Sequence, residues 1–160
     1  MTIQQEAYRL IDSMPDESVK LLVEFIQKIS PPSGEKNASM VRYDENYRVA
    51  NQRKLVRIEK LEDGWNGNGA KAISKDVIKK VRNLLDRIYY QPEIFPTACD
   101  SIQLEYDMQD GGHLEIEITE NEEAECYYVS ANGEESTEFI PSDVTSINHK
   151  VAEYYGSILS

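Results

Sequence analysis

The hydrophobic period of this chain changes twice, and the changes predict an α+β fold. Up to about residue 90 the apolar residues keep helical spacing. From Ser101 they alternate one by one, and from Ser142 the helical spacing returns. The expected architecture is a helical hairpin over residues 1–30, a linker over 31–39 and a main domain over 40–160. That domain would hold two helices, an antiparallel sheet of about four strands and a C-terminal helix covering the sheet.

The hairpin opens with Thr2 and Gln5 at the spacing of a capping box, after which Ile3, Ala7, Leu10, Ile11 and Met14 share a stripe. Pro15 suits the first turn of a second helix, with Asp16 and Glu17 near the positive end of its dipole. Val19, Leu22, Val23, Ile26 and Ile29 form its apolar stripe. Helices this short are marginal alone in water, so both stripes need another surface, from the rest of the chain, a second copy or a partner. "SPPSGEKNAS" at 30–39 carries no periodic signal and reads as the linker.

A helix from about Met40 to Glu62 is expected to bury Tyr43, Tyr47, Ala50, Leu55, Ile58 and Leu61. It runs into "LEDGWNGNGAKAIS", residues 61–74, which sets the single Trp among three glycines and two asparagines. The segment fails as a calcium loop because Trp65 and Gly67 stand where oxygen ligands belong, and it lacks the Gly-Lys-Ser/Thr ending of a phosphate loop. It reads as a corner: Gly64 stops one helix, Gly67 and Gly69 allow a tight return, Trp65 fills the gap and Ser74 caps the next helix. That next helix buries Val77, Ile78, Val81, Leu84, Leu85 and Ile88. Pro92 and Pro96 bracket "QPEIFPTACD", which reads as a crossover.

"SIQLEYDM" and "HLEIEIT" alternate apolar and polar residues, and each reads as a half-buried strand. A two-residue loop at Asp110-Gly111 would lay apolar side chains of one strand over charged ones of the other, because a one-residue slip reverses every face. A three-residue loop of Asp110, Gly111 and Gly112 keeps the faces matched. It would pair Met108 with Leu114, Tyr106 with Ile116 and Leu104 with Ile118, and so oppose Asp107 to Glu115 and Glu105 to Glu117. "AECYYVS" and "STEFIPS" supply two more strands around a turn at Asn132-Gly133. In the last helix Val144, Ile147, Val151, Tyr154, Tyr155 and Ile158 face the sheet.

Charge is the sharpest signal. The chain carries a net charge of -12, which argues against nucleic acid and anionic membrane as partners and favours basic ones. Residues 101–140 hold twelve acidic side chains and no Lys or Arg, whereas 42–87 hold twelve Lys and Arg against seven acids. Like charges facing each other on a sheet cost up to roughly 1 kcal/mol per pair. The carboxylates of Glu105, Asp107, Glu115 and Glu117 therefore form a solvated face offset by the basic helices, a docking face for a basic protein, or a cluster around a divalent cation. Nothing in their spacing completes a coordination sphere, so no metal or cofactor is assigned. His113 and His149 have no nucleophile or orienting acid at a telling distance, Cys99 and Cys126 lack a thiol-catalysis motif, and no catalytic residue is assigned. The N-terminus does not read as a secretory signal, no run is long enough for a membrane span, and two unspaced cysteines read as reduced thiols; the expected location is the cytoplasm.

"AYRLIDSMPDESVKLLVEFIQKI" resembles the short helical hairpin of small antitoxin-like proteins in bacterial toxin–antitoxin systems. "LEDGWNGNGAKAIS" through "PTACDSIQLEYDMQDGGHLEIEI" resembles a group of small bacterial proteins of unassigned activity with a Gly-Trp-acidic-Gly corner, although Asn66 replaces the acidic residue here. The first resemblance implies an antitoxin or immunity-like neutraliser; the second implies architecture only. The expected function is thus non-enzymatic binding of a basic protein partner, with Glu105, Asp107, Glu115 and Glu117 meeting its Lys and Arg and Val23 and Ile26 adding apolar area. Two other readings stay open: a metal-dependent hydrolase using the same carboxylates, and a structural module that forms homo-oligomers through the hairpin.

Overall fold

The computed structural model describes residues 9–29, 45–108 and 110–157, without the side chains of 23–29, 45 and 155–157. The chain forms two compact units, Met1–Ala38 and Ser39–Ser160. In the first, α1 is described over residues 9–12 and α2 spans Asp16–Ile29. Pro15 precedes α2 and its carbonyl accepts the Ser18 and Val19 amides at 2.9 and 3.0 Å. It therefore acts as the cap rather than inside the first turn as expected. The capping box at Thr2, the linker at 31–39 and the side chains of Val23 and Ile26 lie outside the described residues.

The second unit runs α3 (Glu45–Ile58), α4 (Lys75–Arg87), β1 (Glu93–Pro96), β2 (Ile102–Asp107), β3 (His113–Ile118), β4 (Glu123–Val129), β5 (Glu135–Pro141) and α5 (Val144–Ser157). The strands form one antiparallel sheet in sequence order, so the fold is α+β with five strands. The additional strand, β1, occupies the segment read as a crossover. Pro96, its last residue, is tolerated because the strand lies at the sheet edge, and Ile94 is fully buried.

One face of the sheet is apolar. Ile94, Ile102, Leu104, Tyr106, Leu114, Ile116, Ile118, Ala124 and Cys126 pack in one core with Leu55 and Ile58 of α3, the α4 stripe, and Ile147 and Val151 of α5. Ser74 caps α4 as expected, accepting the Val77 amide. The α3 face differs from expectation: Asn51, Leu55 and Ile58 are buried, while Tyr47 and Ala50 are exposed. Asn51 Nδ2 donates to Gln91 Oε1 at 3.1 Å and to the Pro92 carbonyl at 2.9 Å, so a satisfied polar group takes the inward position. The helix also ends at Ile58, short of Glu62, and Tyr43 lies outside the described residues.

α5 begins at Val144 rather than Ser142, and Asp143 caps it, its Oδ1 accepting the Ser146 amide at 2.8 Å. Ser142 is instead held at the β3–β4 turn, with Lys80 Nζ donating to its hydroxyl and to the carbonyls of Thr119 and Asn121. Over β4 and β5, the Tyr154 ring meets Tyr128 at 4.1 Å between centroids. Lys150 is nearly buried between Glu138 and Glu153. Burial opposes its charge, but its hydrogen bonds to Glu138 and Glu153 outweigh that and raise its pKa.

Candidate functional site

The site is built by the β2–β3 hairpin. The Met108 amide donates to the Gly112 carbonyl at 2.8 Å and the Gly111 amide to the Met108 carbonyl at 3.1 Å, which closes a three-residue loop. The expected length and matched faces hold, but the loop sits one residue earlier than expected. The strands therefore pair Leu104 with Ile116, Tyr106 with Leu114, Glu105 with Glu115, Gln103 with Glu117 and Asp107 with His113. The predicted oppositions of Asp107 to Glu115 and Glu105 to Glu117 are corrected by this register. Gly111 takes the positive-φ position at 92°, as the third residue of such a loop requires. Gly112 has a different reason to be glycine: a Cβ there would lie 2.8 Å from the Tyr128 hydroxyl.

The shift brings His113 into the acidic face. Its Nδ1 lies 2.7 Å from Asp107 Oδ1, and its Nε2 lies 3.1 Å from Glu115 Oε1 and 3.9 Å from Glu105 Oε2. An ionised carboxylate only accepts, so donation by both ring nitrogens to ionised Asp107 and Glu115 requires the imidazolium form. Burial of the ring works against its charge, but the hydrogen bonds and charges of Asp107 and Glu115 outweigh that, and the His113 pKa is raised. Glu105 is also raised, first by burial and then by Glu115 and Asp107, with His113 and Lys54 partly offsetting them. The His113, Glu105 and Glu115 side chains are 29%, 27% and 30% exposed, against 81% for Asp107. Asp107 thus clamps the ring from outside, and the other two carboxylates sit beneath it.

Glu117 stands apart from this group. The buried Ser101 hydroxyl donates to its Oε1 at 2.5 Å, and Ser101 in turn meets Thr97 Oγ1. The structure therefore gathers Glu105, Asp107 and Glu115 of the four expected carboxylates and replaces the fourth with His113. In the sequence His113 reads as a histidine with no orienting acid at a telling distance. The usable signal was parity, since His113 alternates onto the same face as Glu115 and Glu117.

Neighbouring strands extend the face. Glu93 pairs with Glu105 on one side, and Tyr127 pairs with Glu115 on the other. The next row runs Phe95, Gln103, Glu117, Glu125 and Phe139 across all five strands. Phe95 and Phe139, at its two ends, are 40% and 64% exposed. Lys54 of α3 lies over the Phe95 ring at 4.1 Å.

The 61–74 corner makes no such cluster. Asn66 Oδ1 accepts the Asn68 and Ala70 amides, Asp63 Oδ1 accepts the Ala72 amide, and Trp65 Nε1 donates to the Lys71 carbonyl. Its polar groups serve its own backbone, whereas Trp65, expected to fill the gap between helices, is only partly buried and is not among the residues packed on the core, and Gly64 lies beyond the end of α3. Cys99 is exposed and Cys126 buried, both free; burial, with Glu138 nearby, pushes the Cys126 thiol up to about 12, far from the range of a reactive thiolate. Among the described residues no helix is long and apolar enough to cross a membrane. No family model, curated protein or solved structure matches the chain.

Proposed function

We propose that this protein is a non-enzymatic binding module whose acidic sheet face takes a basic protein partner, as an antitoxin or immunity-like neutraliser would. The observation that carries the reading is the row from Phe95 to Phe139, with two exposed aromatic rings flanking Glu117 and Glu125 and the Glu105–Glu115 pair one row away. β2 to β5 contain no Lys or Arg, so a partner's cations would meet carboxylates without competition from the sheet itself. Aromatic rings supply contact area at small entropic cost, and the carboxylates steer encounter and set its salt dependence. Val23 and Ile26 of the N-terminal unit would add apolar area, and the antitoxin-like pattern of that segment supports the same reading. Free thiols suit a reducing compartment, and the cytoplasm is the proposed location.

The test is a pull-down from the cells that make the protein, in chelator, with two baits: the wild-type chain and one carrying Glu105→Gln, Asp107→Asn, Glu115→Gln and Glu117→Gln. A stoichiometric basic protein held by the wild type, released by high salt and lost with the neutralised bait is the expected result. Equal retention by both baits would remove the sheet face from the function.

A further inference from the structure

We propose that Glu105, His113 and Glu115 form a site for one borderline divalent cation of the Zn2+ class, with Asp107 as the carboxylate that orients the imidazole. The three donor atoms, one nitrogen and two oxygens, lie within 4.8 Å of one another. Tetrahedral donors around Zn2+ at about 2.0 Å stand about 3.3 Å apart. Nε2 and Glu115 Oε1, at 3.1 Å, already match that edge; Glu105 Oε2 stands 3.9 Å from Nε2 and within 4.8 Å of the Glu115 donor, so a side-chain movement of Glu105 would complete the set. Glu105 and Glu115 are directly opposed on paired strands, so the ladder already holds two of the three donor residues in place. Three protein donors leave a fourth position for water or an incoming group.

The imidazole distinguishes this group from a run of surface carboxylates. A histidine that binds a metal through one nitrogen commonly gives its other N–H to a carboxylate, and Asp107 stands on Nδ1 at 2.7 Å in that relation. The Nε2 lone pair then points toward Glu115 and Glu105. On binding, the Nε2 proton passes to solvent and that lone pair bonds the ion, with no change of oxidation state. Glu105 and Glu115 are more than two-thirds buried and face each other; a dication offsets their repulsion where the sheet offers no Lys or Arg. One nitrogen with two carboxylates suits Zn2+ or Co2+ rather than Ca2+, which takes six to eight oxygens.

The inference is independent of the partner reading, and its test uses the full chain alone. Calorimetry with Zn2+ is expected to show one ion per chain, and Co2+ should give a ligand-field absorption that Zn2+ displaces. His113→Gln should weaken binding at least roughly 100-fold and abolish the cobalt bands, and Asp107→Asn should weaken it roughly 10- to 100-fold. His149→Gln and Cys99→Ser, at exposed positions away from the site, should bind as the wild type does. Circular dichroism of the ion-free proteins reports folding; Asp107, being mostly exposed, supplies the readout if His113→Gln does not fold. Absence of a saturable Zn2+ heat, uptake that survives both His113→Gln and Asp107→Asn, or Mg2+ and Ca2+ binding as tightly as Zn2+ would each overturn the site.

Discussion

The corner at 61–74 and the hairpin at 105–115 use the same residue types, glycines with short polar side chains, and direct them differently. In the corner, Asp63, Asn66 and Trp65 each bond to backbone groups of the same segment. Among the described residues of the hairpin, Asp110 does so, accepting the Gly112 amide at 2.8 Å, while Glu105, Asp107 and Glu115 converge on a side chain. Polar groups that satisfy backbone are needed for the fold. Polar groups that satisfy one another across a half-exposed face remain accessible to a ligand. That difference turns a charge pattern into a functional hypothesis.

The largest separation between the two regions should come from Asn66→Ala. Two amides lose their acceptor, a loss of about 1–2 kcal/mol, read as a lower midpoint in urea with Zn2+ and partner binding intact. A fall in either affinity would show that the corner is not purely structural. Gly111→Ala comes next, at about 1–2 kcal/mol, because an ordinary residue is strained at φ 92°. Unlike the corner variant it should also weaken Zn2+ uptake, since that loop sets which residues face His113.

The smallest effect has the opposite sign. The folded-state pKa of Glu105 is raised, so its charge opposes folding at neutral pH, and that opposition fades as pH falls through the raised pKa. Glu105→Gln should therefore stabilise the ion-free protein near neutral pH by up to about 1 kcal/mol. The gain should disappear in acid, where the wild-type carboxyl is already protonated. Chemical denaturation of both proteins across that range checks it, and a destabilised variant at neutral pH would mean that the attraction to His113 outweighs burial and repulsion.

Much of the fold was legible because its period was strong. The α4 stripe from Val77 to Ile88, the Ser74 cap and the matched faces of β2 and β3 all follow from local pattern. The inward face of α3 was not legible. Its apolar residues do not form one stripe, and the position that turns inward is Asn51, whose partners Gln91 and Pro92 are some forty residues away. β1 was hidden by Pro92 and Pro96, which look like strand breakers until the strand is known to be an edge. In the candidate site, the acidity of the face was visible in composition, but the membership of the cluster was not. Glu117 was grouped with the others because nothing local shows Ser101 donating to it from the far end of β2.

The sequence by itself determined parity: which side chains of β2 and β3 face the core and which face outward, because alternation in an extended chain is a local property. Only the tertiary structure decided which outward residues stand opposite one another. Two adjacent glycines offered two places for the loop's positive-φ residue, with the same faces but different partners. Gly111 takes that position at φ 92°, while a Cβ on Gly112 would lie 2.8 Å from the Tyr128 hydroxyl of β4. Gly112 is thus used for close approach and Gly111 for the turn, and that assignment brings His113 opposite Asp107 and Glu105 opposite Glu115.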